Sequence, residues 1–262
     1  MAKRITLASG ITLNTEIDGQ KCGPWIILSN SLGANLQMWT PQIATLARKY
    51  RVLRYDTRGH GDSDSPLGPY SLEELTRDVV DLMDYHQIEQ AAFMGLSLGG
   101  MTGLNLALNR HDRITRLVCA NARADAPSFY KDMWIERIAI VRNAGLAGVV
   151  ANSLKTWFTD AWLYHNPEES SRIREMILGN DAEGYIACCQ AIRHLDLLPR
   201  LCELSIPVLY VVGDEDVVAP TSVMEKMASE TLGSELIEIA AAAHISNLCQ
   251  PAEFNAAISG FL

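Results

Sequence analysis

Gly95-Leu96-Ser97-Leu98-Gly99 is a G-x-S-x-G motif, and the residues flanking it decide how the chain is read. Before it, Ala91-Ala92-Phe93-Met94 is a short apolar run that predicts a buried strand, and after it residues 100–108 read as a helix. Strand, tight turn and helix is the context in which this motif presents a nucleophilic serine. The glycines let the backbone turn without a Cβ clash, so Ser97 Oγ stands above the sheet edge. The helix that follows aims its free N–H groups at a reacting oxygen. Without strand and helix, the same five residues would be an ordinary glycine-serine turn.

A serine hydroxyl is a weak nucleophile and needs a base that is itself held by a third group. In folds built on this elbow the chain order is Ser, then Asp or Glu, then His. Downstream, residues 206–212 form an apolar, β-branched strand that runs through Gly213 into Asp214-Glu215-Asp216. Three carboxylates compete there. Asp216 is the expected acid, because a residue three beyond Gly213 can curl back over the sheet edge. Asp125, after a strand over 117–121, is the alternative. Residues 235–239 form a further strand, and His244 follows it on a loop, ahead of a helix signalled by Gln250-Pro251-Ala252-Glu253-Phe254. His244 is the expected base. The oxyanion donors should be the N–H of Leu98, next to the nucleophile, and that of Leu32, in the loop Ser29-Asn30-Ser31-Leu32-Gly33 after a strand over 25–28.

The 262-residue chain is 48% hydrophobic, enough for a sizeable core, and carries a formal charge of −9. That charge argues against nucleic acid or an anionic membrane as partner. It also gives an anionic substrate no long-range attraction, so recognition has to be local. The first residues, Met1-Ala2-Lys3-Arg4-Ile5-Thr6-Leu7, have no apolar leader core, and no apolar run is long enough to span a bilayer. A soluble, cytoplasmic protein is expected. The six cysteines show no C-x-x-C spacing and are expected to be reduced thiols, with no metal bound.

Two strands near 4–7 and 11–17 open the chain. From residue 25 on, strands and helices alternate, which predicts an α/β fold with a mostly parallel central sheet covered on both faces. Ser71-Leu72-Glu73-Glu74 is a capping box that opens a helix to about residue 86. Residues 123–203 break the alternation. They offer no strand but four helical stretches, at 127–143, 146–158, 168–178 and 183–195. An all-helical cap over 123–203 is therefore expected between the sixth and seventh strands, on a core of residues 1–122 and 204–262. Aromatics at helical spacing are more often core than pocket, but a cap turns one face to the cleft.

The chain resembles an α/β-hydrolase over its whole length, and within that superfamily the 3-oxoadipate enol-lactonases. The elbow and Asp56-Thr57-Arg58-Gly59-His60-Gly61 mark the superfamily. The runs Ser29-Asn30-Ser31-Leu32-Gly33 and His244-Ile245-Ser246-Asn247 point to the lactonases, as do Gly68-Pro69-Tyr70, Trp157-Phe158-Thr159, Gly184-Tyr185 with Cys188-Cys189, and Ala191-Ile192-Arg193. Leu98 stands where methionine is expected, an apolar exchange at a position that acts through its backbone. The resemblance implies a five-membered enol lactone bearing a carboxymethyl group, opened through an acyl-enzyme on Ser97 without metal or organic cofactor. The substrate carboxylate then needs a cationic partner. Arg193 is the first candidate, with Arg137 and Arg123 behind it, and Trp134 could stack on the ring. Arg58 is expected to be structural.

The same triad also suits a carboxylesterase, a perhydrolase or a carbon–carbon bond hydrolase, and a hydrolase-like receptor is the non-enzymatic alternative. Serine rather than aspartate at position 97 disfavours a haloalkane dehalogenase. A homo-oligomer is left open.

Overall fold

The computed structural model describes residues 3–262. Met1 and Ala2, read above as part of an amino terminus without an apolar leader core, lie outside the described residues. An eight-stranded sheet is built from β1 (Lys3–Thr6), β2 (Thr12–Gly19), β3 (Trp25–Ser29), β4 (Arg51–Tyr55), β5 (Ala91–Leu96), β6 (Ile114–Ala120), β7 (Val208–Gly213) and β8 (Glu235–Ile239). The spatial order is β1-β2-β4-β3-β5-β6-β7-β8. β2 pairs antiparallel with β1 and β4, and every later pairing is parallel.

Parallel neighbours need crossover helices, and these cover both faces. The helices of the core are α1 (Thr40–Leu46), α2 (Leu72–Tyr85) and α3 (Leu98–Asn109). Between β6 and β7 follow α4 (Ser128–Ala144), α5 (Ala147–Trp157), α6 (Asp160–His165), α7 (Pro167–Leu178) and α8 (Ala182–Arg193). The chain closes with α9 (Thr221–Glu230), α10 (Ser246–Cys249) and α11 (Pro251–Phe261). Strand side chains alternate between two cores. Phe93, Leu117, Cys119 and Tyr210 pack with α2, α3 and α9, whereas Met94, Val118, Ala120 and Val211 pack with α1 and α11. The capping box forms as the sequence implies: Ser71 Oγ accepts from Glu74 N–H, and Glu74 accepts from Ser71 N–H.

The helical insert leaves and rejoins the sheet at one place. Leu197 and Leu198 N–H both donate to the Ala124 carbonyl, at 2.7 and 2.9 Å, and Asp125 bridges to Asp196. Helices α6, α9 and α10 are additions to the sequence-based expectation. α9 carries only a short stripe, with Met224 and Met227 buried and Val223 and Ala228 half-buried, and α6 fully buries none of its six residues. Among the described residues, no helix is long and apolar enough to cross a membrane.

Candidate active site

Two close approaches fold the chain back at Ser97. A Cβ on Gly95 would run into the Gly99 carbonyl, and one on Gly99 into the Ser29 carbonyl, so only glycine fits at either position. Between them Ser97 takes φ 56° and ψ −115°, a strained conformation for an L-residue. Its N–H donates to the Ala120 carbonyl of the neighbouring strand and its carbonyl accepts from Met101 N–H, both at 2.9 Å. These bonds hold the strain and lift the side chain off the sheet.

His244 meets that side chain. Ser97 Oγ lies 2.9 Å from His244 Nε2, and His244 Nδ1 lies 2.9 Å from Asp216 Oδ2. With Nδ1–H donating to the carboxylate, Nε2 is left to accept the serine proton. All three residues are buried. The acid and base loops are tied together: Glu215 N–H donates to the Ala242 carbonyl, and Ala242 N–H to Asp214 Oδ1. Asp214 thus shapes the loop, while Asp216 reaches the imidazole.

Burial pushes the Asp216 carboxyl up, but the facing His244 and the hydrogen bonds from His244, Asn121 and Ala219 N–H outweigh it, so its pKa is held below the usual carboxylate range. Oδ2 accepts from Asn121 Nδ2 at 3.0 Å, and Oδ1 from Val218 and Ala219 N–H at 2.8 and 3.0 Å. Asn121 sits just past β6 at φ 46°, a conformation asparagine tolerates. Its oxygen accepts from Ser246 Oγ, so one amide braces both the acid and the loop of the base. An asparagine at a strand end is the only local sign of this role. Asp125, the alternative acid, is instead paired with Arg123 at 3.0 Å.

The expected oxyanion loop is a turn over residues 31–34. Ala34 N–H donates to the Ser31 carbonyl at 3.0 Å, and Gly33 has φ +82°, as a type II turn requires. The Ser31 carbonyl and Leu32 N–H belong to one trans peptide and so point opposite ways. Among the described residues Leu32 N–H has no partner. Leu98 is the first residue of α3, where the N–H has no intrahelical acceptor.

These elements enclose a narrow cleft of about 60 Å³, lined by Ser31, Leu32, Ser97 and His244 from the core and by Trp134, Arg137, Trp157 and Tyr185 from the insert. A far larger depression of about 850 Å³ lies between residues 67–73 and α8, but it touches neither Ser97 nor His244, so the chemistry and not the size marks the site.

Arg137 enters this cleft, and Arg193 does not. Arg193 lies outside, lining a separate surface depression with Ile135 and Arg142, with Nη1 on Gln190 Oε1 at 2.7 Å. Its expected role is therefore corrected. Tyr185, near the start of α8, is the residue that faces the cleft, and Arg193 is eight positions on, about 12 Å along the axis. Arg123 is also spoken for, by Asp125 and the faces of Tyr130 and Phe129. Arg137 donates from Nε to Tyr185 Oη at 2.6 Å and from Nη2 to Ser153 Oγ. Among the described residues no carboxylate pairs with it and Nη1 has no hydrogen-bond partner. Arg58 binds Asp78 through two buried contacts of 2.6 Å, away from the cleft.

The alpha/beta hydrolase fold model matches residues 24–250. The 3-oxoadipate enol-lactonase 2 of Acinetobacter baylyi is 38% identical over 97% of this chain and 94% of its own length. The chain belongs to the α/β-hydrolase family, in the group of the 3-oxoadipate enol-lactonases. Among solved structures, the enol-lactonase of Burkholderia xenovorans superposes with a TM-score of 0.95 at 38% identity, covering 99% of both chains. A thermophilic esterase from Thermogutta terrifontis, solved with malate bound, follows this α/β-hydrolase with a TM-score of 0.92 at 27% identity, over 100% of this chain and 97% of its own.

Proposed function

We propose that the chain hydrolyses the enol lactone of 3-oxoadipate to 3-oxoadipate, a step in the breakdown of aromatic compounds. The observation that carries this is an uncompensated arginine, Arg137, in the same narrow cleft as the Ser97–His244–Asp216 hydrogen-bond chain. Ser97 Oγ attacks the ring carbonyl and passes its proton to His244 Nε2, while Asp216 stabilises the imidazolium that forms. The oxyanion sits between the N–H groups of Leu32 and Leu98. Collapse of the tetrahedral species breaks the ring C–O bond. The departing enol oxygen takes the proton from His244 and the enol tautomerises to the ketone, still tethered to the acyl group on Ser97. His244 then removes a proton from water as it attacks the acyl carbonyl, and returns that proton to Ser97 Oγ as the acyl–oxygen bond breaks.

The carboxymethyl group faces Arg137 Nη1 and the hydroxyl of Tyr185, whose proton has no acceptor among the described residues. Trp134 forms a wall of the cleft and flanks the ring. The malate held by the related esterase from Thermogutta terrifontis is in keeping with a small carboxylated ligand. Residues 123–203 act as the cap that excludes water, on a core of residues 1–122 and 204–262. The six cysteines are free, as a cytoplasmic protein's would be.

The test is turnover of the purified enol lactone, followed by loss of enol absorbance and by appearance of 3-oxoadipate. Ser97→Ala should abolish it while leaving the circular dichroism spectrum unchanged. Hydrolysis of neutral aryl esters with no lactone turnover would replace this substrate with a simple ester.

A further inference from the structure

The turn that carries Leu32 is held from the helical insert as well as from the core, and among the described residues the insert hydrogen-bonds to it through one side chain, Asn180. This residue lies between α7 and α8, about 8% exposed. Its Nδ2 donates to the Gly33 carbonyl at 2.8 Å, and its Oδ1 accepts from Gly61 N–H at 2.9 Å. From the other side, Gly33 N–H donates to His60 Nε2 at 2.9 Å. His60 is buried and its Nδ1 lies 3.3 Å from the Arg58 carbonyl, which fixes Nδ1 as the protonated nitrogen and leaves Nε2 as acceptor.

These contacts close a circuit. It runs from Gly33 N–H to His60, along the chain to Gly61 N–H, across to Asn180, and back to the Gly33 carbonyl. Both peptide groups of Gly33 are thereby fixed in plane. The preceding peptide, which carries Leu32 N–H, is fixed by the bond from Ala34 N–H to the Ser31 carbonyl. The rings of Tyr185 and Trp157 press on Gly33 from above: a Cβ there would come within 3.3 Å of Tyr185 and 3.6 Å of Trp157. Gly33 at φ +82° has no side chain to hold it, so its position depends on these partners.

We infer that Asn180 is a positioning residue for the oxyanion hole: by gripping the Gly33 carbonyl it sets the direction of Leu32 N–H and couples the seating of the insert to transition-state stabilisation. This rests on the hydrolase reading above but not on the identity of the substrate, since every acyl transfer on Ser97 passes through the same oxyanion. It is therefore tested on a neutral ester, 4-nitrophenyl acetate, so that failure of the lactone assignment and failure of this inference are separate results.

Asn180→Asp keeps the acceptor for Gly61 N–H and loses the donor to Gly33. Loss of one oxyanion donor lowers kcat by about 10²–10³-fold, and a misdirected donor loses a part of that, so kcat should fall about 10-fold or more with KM nearly unchanged. Affinity for a trifluoromethyl ketone, which forms the oxyanion adduct on Ser97, should fall by the same factor. The control is Ser65→Ala. It removes a neighbouring bond between core and insert, Ser65 Oγ to Asp181 Oδ1 at 2.6 Å, without touching Gly33, and should change neither quantity. Asn180 Nδ2 also lies near the Met176 and Ile177 carbonyls at the end of α7, so Asn180→Asp could unfold that turn. In that event Asn180→Ser, too short to reach Gly33 and free of charge, carries the same expectation. A folded variant with unchanged kcat and ketone affinity overturns the inference. So does a loss of kcat with ketone affinity intact, or an equal loss in Ser65→Ala.

Discussion

Replacing Arg137 with methionine separates recognition from chemistry. Two arms of the guanidinium are engaged by Tyr185 and Ser153, and Nη1 is left for the cleft. Methionine keeps most of the stem's bulk and removes the charge. A hydrogen bond to a charged group is worth about 1.5–3 kcal/mol, which is about 10- to 150-fold in kcat/KM for a carboxylated substrate. The loss should stand at the upper end, because among the described residues no carboxylate competes for Arg137 and the net charge of −9 supplies no other attraction. The assay is kcat/KM for the carboxymethyl lactone beside kcat/KM for a neutral aryl acetate. The second should change by less than about 3-fold, since Ser97, His244 and the oxyanion donors are untouched. Arg137→Lys should recover part of the loss, as lysine restores charge but not the fork that holds Tyr185. Equal loss on both substrates would refute the reasoning and leave Arg137 as a brace for Tyr185. No loss on either would mean that the carboxylate is held elsewhere.

Asp216→Asn should lower kcat about 10⁴-fold, as loss of the equivalent acid does in the serine protease triad, whereas Asp125→Asn, which loses only its pairing with Arg123, should stay near wild type; steady-state kinetics on either substrate decides. Arg193→Met should leave both substrates unaffected, because that side chain lies outside the cleft. His60 should make stability fall on acidification. Burial lowers the His60 pKa from its ordinary 6.5 to about 4, so between these values the unfolded chain binds a proton that the native one does not. Unfolding free energy at this residue is then lost as pH drops from 6.5 towards 4, by about 3 kcal/mol, and flattens below. Urea unfolding of the wild type beside His60→Gln across that range checks it, because burial raises the Asp56 and Asp78 pKa values and these act in the opposite direction; the same pH slope in both proteins would mean that His60 is not neutral in its buried site. Gly99→Ala should destabilise by about 1–3 kcal/mol through overpacking against the Ser29 carbonyl, read as a lowered Tm.

The elements that position Ser97 were legible because each signal was local. The apolar run before the elbow, the glycines within it and the capping box at Ser71 each declare themselves within a few residues. β4 and β8 fall where their β-branched and apolar patterns put them. The choice of Asp216 among three carboxylates also rested on local geometry, the distance a loop needs to turn back over a strand end. What stayed hidden depends on pairings across the chain. Asn121 and Ser246 are 125 positions apart, and Asn180 and Gly33 are 147 apart. An asparagine in a loop gives no sign of which distant carbonyl it will meet. Arg193 misled for a related reason. It sits in a stretch that matches the lactonases, but a matching helix does not reveal which of its turns reaches the cleft.

The insert departs and returns through one short ladder, with Ala124 accepting from Leu197 and Leu198. Its two ends are therefore neighbours, and a segment with adjacent ends can be lengthened, trimmed or exchanged while the sheet closes beneath it as before. If the insert is the cap proposed above, the segment between Ala124 and Leu197 is a natural cassette for new substrate pockets. The circuit at Gly33 sets the condition on such a graft: a foreign cassette that forms a well-shaped pocket but brings no donor to that carbonyl would bind its ligand and turn it over slowly. Recipients chosen for catalysis should therefore be screened first for an amide at the position of Asn180, and only then for the shape of the pocket.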